Sequence, residues 1–399
     1  MGGEMLDLSG GEPAIGAIAP GHVAAAPLRA TGVRRPRAFR RALQTIHLWV
    51  GLILCLPIIA IGLSGSALLV QRYIQIYSVP AATSAGAYQP LSRIVEAAQT
   101  AVAPGIKPNQ LEMPSASGWP ATVQFVVARQ PVRTMAVYVD PVSLDVLGQE
   151  QVIRRGPVRD WLVTMHEFLM LPGHIGLPLV GWMAVTMTFM GVSGLILWWP
   201  RRGGWLAALH VMRGARGVRL QLDLHQVVGF WGLLVFLILS LSGIYLAFPR
   251  TVSTGLRMAL PSTHVHLDQD FGAVERIWPL SPDQAVATAT RLVPNARPVT
   301  VQLPLREGPL VVQLETENFW PSIPPITVTF DPSNPDYVAV DDPQKYTVGD
   351  RVLNVGYAMH FSFGMGWVWT LLVFLAGLLP LFLAVTGTTV WWMKRRARA

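Results

Sequence analysis

The sequence predicts a membrane protein, an α-helical bundle of four transmembrane helices with two small α+β domains on one side, arranged as a parallel internal duplication. Three observations carry this expectation. Of the 399 residues 51% are hydrophobic and only 14% are charged, which is too apolar for a soluble chain of this length. Four stretches, near His47–Val70, Leu177–Pro200, His225–Phe248 and Trp367–Met393, reach the roughly 20 apolar residues needed to cross a hydrocarbon core of about 30 Å. The landmarks of the first half also recur in the second in the same order.

Residues 1–39 are rich in Gly, Ala and Pro and start acidic. They lack the basic n-region and leucine-rich core of a signal peptide, and are expected to be a disordered tail. Residues 40–72 form the first spanning segment. Residues 73–160 form the first soluble domain, and 161–200 a lead-in followed by the second span. A loop over 201–220 joins it to a third span over 221–249. Residues 250–356 are the second soluble domain, 357–393 hold the fourth span, and 394–399 form a short tail.

Basic residues cluster in the short segments at one end of the spans. Arg34, Arg35, Arg37, Arg40 and Arg41 precede the first, Arg213, Arg216 and Arg219 lie with Arg201 and Arg202 between the second and third, and Lys394, Arg395, Arg396 and Arg398 follow the fourth. By the positive-inside rule these segments and both termini are cytoplasmic, and the long connections are periplasmic in a bacterial inner membrane. The net charge of +8 is explained by this topology, with lipid as the contact and no nucleic acid partner expected. The single cysteine, Cys55, lies inside the first span, so neither an intrachain disulfide nor a thiolate cluster is available.

The repeat is specific. His47 to Gly51 and Ser64-Gly65 in the first span match His225 to Gly229 and Ser242-Gly243 in the third at identical spacing. The second span closes on Val192-Ser193-Gly194 and Trp198-Trp199, the fourth on Val385-Thr386-Gly387 and Trp391-Trp392. His166 and His360 precede those tryptophan pairs by nearly the same distance. Each soluble connection runs from Pro-Leu-Ser through an Ala-rich helical stretch, with Ser92 and Ser281 as N-caps, into alternating strands such as Thr122–Val127 and Val311–Leu314. Strand-turn signals, Asp140-Pro141 and Asp331-Pro332, close them. Because both halves start on the same side, a parallel repeat places equivalent residues opposite each other.

That symmetry pairs His47 with His225 on the cytoplasmic side and His166 with His360 on the periplasmic side. Imidazole pairs facing across a helix bundle are what six-coordinate haem iron requires, and two pairs imply two haems stacked across the membrane. Gly51 and Gly229, one turn beyond their histidines, leave room for a flat macrocycle; the Ser-Gly pairs offer similar room at the periplasmic haem. His174 competes with His166, which lies about 12 Å earlier if the helix is continuous. Met165, Met359 and Met365 raise a His/Met alternative, although methionine on an apolar helix is ordinarily packing. His264 and His266 alternate on a strand as an incomplete metal site, and His22 and His210 read as solvated. Arg40, Arg41 and Arg219 near one pair, and Arg155, Arg159 and Arg351 near the other, are candidates for haem propionates. No dinucleotide fingerprint, P-loop, nucleophile elbow or zinc-protease motif is present.

The ordered motifs TIHLWVG, LVTMHEFLML…GVSGLILWWPRR, LDLHQVVGFWG and YAMHFSFGMG…TGTTVWWMKRR resemble the PepSY-associated transmembrane family. The Asp-Pro turns with their preceding helices resemble PepSY domains. The resemblance implies an iron-regulated inner-membrane oxidoreductase of the ferric-siderophore reductase type, with two b-type haems held by His47, His166, His225 and His360. It implies one-electron reduction of a ferric siderophore or other ferric chelate docked between the two periplasmic domains, with release of Fe(II). The chain carries no flavin or NAD(P)H domain after the fourth span, so a quinol or a separate cytoplasmic flavoprotein is the expected donor. Two other classes remain open from the sequence: a membrane-anchored PepSY binding or regulatory module without redox activity, and an iron or haem transporter.

Overall fold

The structure, a computed structural model, describes residues 35–129, 132–152, 157–200, 204–261, 281–304, 308–316, 323–331 and 338–399. Most of the expected tail, together with His22, Arg34, Arg155, Arg201, Arg202, His264 and His266, lies outside the described residues. Leu43–Ala399 form one compact unit, from which the described residues before Leu43 are set apart.

In chain order the elements are α1 (Arg35–Tyr77), α2 (Leu91–Gln99), β1 (Pro108–Glu112), β2 (Ala121–Arg129), β3 (Val132–Val139), β4 (Val146–Val152), α3 (Pro157–Phe168), α4 (Gly173–Trp198), α5 (Trp205–Ala208), α6 (Gly217–Ala247) and α7 (Pro249–Ala259). The second half continues with α8 (Pro282–Leu292), β5 (Ala296–Gln302), β6 (Leu310–Thr316), β7 (Ile326–Phe330), β8 (Val338–Asp341), α9 (Val348–Phe361) and α10 (Gly366–Arg396). Among the described residues four helices, α1, α4, α6 and α10, are long and apolar enough to cross a membrane. The chain is thus a membrane protein with a separate antiparallel sheet region.

Where apolar helices face an apolar solvent, burial of hydrocarbon gives little drive to associate, and close backbone approach at small residues takes its place. Gly62 of α1 meets the backbone of Gly377 in α10, and Ser66 donates to the Phe374 carbonyl at 2.8 Å beside that crossing. On the other side of the bundle, α4 meets α6 where Gly181 faces Ala247 and Phe248 and where Gly191 faces Leu237.

The two long connections do not stand apart. They share one eight-stranded sheet in the order β4-β3-β2-β1-β5-β6-β7-β8. The central join pairs Leu111 with Val301 in antiparallel register, both fully buried. One face carries α2 and α8, and side chains such as Ile94, Phe125, Ala289 and Phe330 fill a common core beneath them. Complete burial of each larger apolar side chain contributes about 2 kcal/mol. The expected strands fall within β2 and β6, and Asp140 sits at the predicted turn between β3 and β4. Burial alone would push the Asp140 carboxyl up, but backbone N–H groups of Val142, Ser143 and Ser84 donate to it and hold it at about 2.

Ser281 caps α8 as expected, in a capping box with Gln284. Ser92 does not cap α2. That helix begins at Leu91 behind Pro90, and the carboxylate of Asp283, from the first turn of α8, accepts the N–H groups of Leu91 and Ser92 at 2.7 and 3.1 Å. An acidic group there satisfies two orphan donors and complements the helix dipole. Asp283→Ala is therefore expected to lower stability by about 1 kcal/mol, read as a fall in the thermal midpoint of the full chain in detergent.

The lead-in and the span are not one helix in either half. After α3, Leu169 and Met170 take φ of 50° and 61°, and Pro172 opens α4. After α9, Ser362, Gly364 and Gly366 take φ of 57°, 63° and 77° before α10. Left-handed residues stop a helix by ending its hydrogen-bond ladder. The first turns then tie back: Met170 N–H reaches the Thr164 carbonyl, and the Trp369 indole donates to the Met359 carbonyl at 2.9 Å. Each short helix consequently folds back toward the bundle and carries its histidine inward.

Candidate functional site

At the end of the spans near the sheet, the rings of His166 and His360 face each other with centroids 6.2 Å apart and planes inclined at 56°. His166 comes from α3 and meets α1, where its Nδ1 donates to the Ile61 carbonyl at 2.8 Å and lies 3.5 Å from the Ser64 hydroxyl. His360 comes from α9 and meets α6, where its Nδ1 lies 2.9 Å from the Ser242 hydroxyl. The following glycine in each case lies against the ring: a methyl group on Gly65 would stand 2.8 Å from Cε1 of His166, and one on Gly243 3.7 Å from Cε1 of His360.

The opposite end of the bundle repeats the arrangement. His47 of α1 places Nδ1 2.7 Å from the Ser193 hydroxyl of α4, with Gly194 under the ring. His225 of α6 places Nδ1 3.0 Å from the Thr386 hydroxyl and 3.1 Å from the Leu383 carbonyl of α10, with Gly387 under the ring. In all four rings Nδ1 is engaged, and no hydrogen-bond partner of Nε2 is found among the described residues.

His174 stands exposed in the first turn of α4. Gly51 and Gly229 lie under side chains: a methyl on Gly51 would meet Cε of Met190 at 3.2 Å, and one on Gly229 would meet Leu383 at 3.6 Å. Arg219 is ion-paired with buried Asp223 at 2.8 Å, and Arg351 donates to the Gln344 carbonyl. His210 is exposed, with Nδ1 on the Leu206 carbonyl.

Two features were not read from the sequence. Arg72, near the sheet end of α1, donates to the Phe361 carbonyl at 3.0 Å and places its guanidinium 4.1 Å over the Phe363 ring. Beside it a cavity of about 1150 Å³ opens between β5, β6 and α9, lined among others by Arg72, Arg297, Glu315, Asn354, Tyr357 and Phe363. Arg297 is neutralised there by Glu315 at 2.6 Å. The Phe361 ring lies 5.6 Å from His360 and 5.6 Å from Phe363, so aromatic side chains fill the distance from the histidine pair to the cavity wall.

The residues fit a metal held by two imidazoles at the sheet end. Two metal–nitrogen bonds of about 2 Å, plus about 1 Å from each nitrogen to its ring centre, separate such rings by about 6 Å. Among the described residues there is no cluster of three or more His, Cys, Asp or Glu, a set that axial ligation by two histidines does not require.

Four apolar spans, a sheet region at one end and the facing rings of His166 and His360 define a multi-span membrane protein with one observed imidazole pair. Residues 44–394 match the PepSY-associated TM region, and the chain belongs to that family. No curated protein matches it.

Proposed function

We propose that the chain carries electrons across a bacterial inner membrane and reduces a ferric chelate, most simply a ferric siderophore, on the sheet side. Two b-type haems, one between His47 and His225 and one between His166 and His360, would supply the one-electron chemistry. The observation that carries this reading is the facing of His166 and His360 at 6.2 Å with Nδ1 engaged on both rings, which leaves the two Nε2 atoms to ligate.

The rest of the chain supports the same reading. Arg213, Arg216, Arg219 and Lys394–Arg396 lie at the end of the spans away from the sheet, a distribution that supports reading that end as cytoplasmic and the sheet as periplasmic. The correspondence of the two halves, including the mirrored strand order about the β1–β5 join, is what a duplicated ancestor would leave. If two histidines hold each haem, the group would supply one-electron transfer without an open place for an added ligand, so electron transfer to an outside acceptor is favoured over oxygen chemistry. The cavity beside Arg72, reached from His360 through Phe361 and Phe363, is the docking place in this reading. Arg297 is neutralised by Glu315, whereas Arg72 donates to a neutral carbonyl; an anionic chelate is therefore favoured there. The reduction adds one electron to Fe(III), supplied by a quinol or a cytoplasmic flavoprotein, and hard-oxygen chelators hold the resulting Fe(II) less well.

The test is haem content by pyridine haemochrome on protein expressed with ample haem, followed by anaerobic mixing of the reduced protein with ferric chelates. About two haems per chain and reoxidation by an anionic chelate are expected. A colourless protein would overturn the reading and leave an anchored binding module as the better account.

A further inference from the structure

Ser64, Ser193, Ser242 and Thr386 are all buried, and each precedes a glycine that lies under a histidine ring. Each hydroxyl also has a partner on its own helix. Ser64 donates to the Ala60 or Ile61 carbonyl, Ser193 to Met190, Ser242 to Ile238 or Leu239, and Thr386 to Phe382 or Leu383. This back-bonding is the ordinary behaviour of a helical hydroxyl. A hydroxyl has one proton. With that proton committed to a carbonyl, the oxygen has only lone pairs to offer the histidine. Nδ1 must then carry the ring proton, and the lone pair falls on Nε2, the nitrogen that points away from the clamp.

We propose that these four Ser/Thr-Gly pairs are positioning elements: hydroxyl and nearby helix carbonyl together fix the Nδ1–H tautomer of His166, His47, His360 and His225, and set how strongly each Nε2 donates to iron. The inference rests on the haem reading above. The mechanism is that a hydrogen bond accepted from Nδ1–H makes the imidazole more basic and so favours ferric over ferrous iron.

The four clamps are unequal, which makes the proposal testable. His166 keeps the Ile61 carbonyl at 2.8 Å while Ser64 is only a distant partner at 3.5 Å. His225 divides its proton between Thr386 and Leu383, and His360 has both Ser242 and the Leu239 carbonyl. His47 has Ser193 alone among the described residues, at 2.7 Å. Removing the hydroxyl therefore strips His47 of its acceptor and leaves His166 nearly unchanged.

The experiment is a spectroelectrochemical titration of the full-length protein and of Ser193→Ala, Ser193→Thr and Ser64→Ala. Ser193→Ala is expected to raise the potential of one haem by about 59 mV, the value of a tenfold change in ferric preference for one electron. Ser193→Thr should restore the wild-type value, and Ser64→Ala should leave both potentials in place. Equal shifts in Ser193→Ala and Ser64→Ala, or no shift in Ser193→Ala with both haems bound, would overturn the proposal. If the wild type binds no haem, the proposed function fails on its own, and nitrogen-15 shifts of the same four rings still decide the tautomer: a proton on Nε2 overturns the inference, a proton on Nδ1 upholds it.

Discussion

His166→Ala and His360→Ala are each expected to lose the same one of two haems, and His47→Ala and His225→Ala each the other. Haem per chain should fall from two to one in every single variant. The double variant His166→Ala/His360→Ala should still hold one, because its two changes abolish a single site, while His47→Ala/His360→Ala should hold none. The prediction follows from placement: His166 and His360 face one another at 6.2 Å, whereas His47 reaches Ser193 at the far end of the bundle. Residues that act as one unit give non-additive losses, and residues in separate units add. Haemochrome content with an unchanged elution profile is the measurement. A within-pair double variant that loses both haems, or a single variant that loses neither, would refute the pairing.

The spans and the histidines were legible because each is written in local pattern. A membrane helix satisfies its backbone internally, so length and hydropathy reveal it, and the histidine positions are copied between halves at fixed spacing. What the pattern could not carry was the path between lead-in and span. If α3 and α4 were continuous, His166 would stand about 12 Å outside the start of the second span; in the structure it reaches Ile61 of α1. The reversal depends on positive φ at Leu169 and Met170, residues with no intrinsic preference for that region. Only Pro172 gave a local signal for a break. The glycines of the later half were more informative, since Gly364 and Gly366 both take positive φ.

The sheet shows a different limit. Alternation marked β2 and β6 as strands, yet a strand's own sequence does not name its neighbour. The β1–β5 join pairs Leu111 with Val301 from distant parts of the chain, so the joining of the two soluble connections into one sheet was not legible in either. Ser92 failed for a related reason, because the cap of α2 is Asp283 from the other half. The Ser193-Gly194 and Thr386-Gly387 motifs were visible as repeat landmarks, but their contact with His47 and His225 required knowing which helices face each other.

Gly62 and Gly377 set that facing for α1 and α10, and they carry the second large effect. In an exposed helix interior, Gly→Ala commonly stabilises by about 1 kcal/mol. At this crossing the sign should reverse, because a methyl group on Gly377 would run into the Ser66 hydroxyl and the Gly62 backbone, and one on Gly62 into the Gly377 carbonyl. Neither backbone can yield as a flexible side chain would, so the helices must separate, at about 1–3 kcal/mol or more for overpacking of this kind. Separation also moves Ile61, whose carbonyl accepts from His166, and Gly65, which lies against its ring. Gly62→Ala and Gly377→Ala are thus expected to lower the thermal midpoint in detergent and to deplete the sheet-side haem before the other. Gly255→Ala, on α7 where an added Cβ would meet nothing within 4 Å, is the control and should be neutral or slightly stabilising. If Gly377→Ala proved as stable as Gly255→Ala, α1 and α10 would not meet at this crossing, and the route by which α1 positions His166 would need another support.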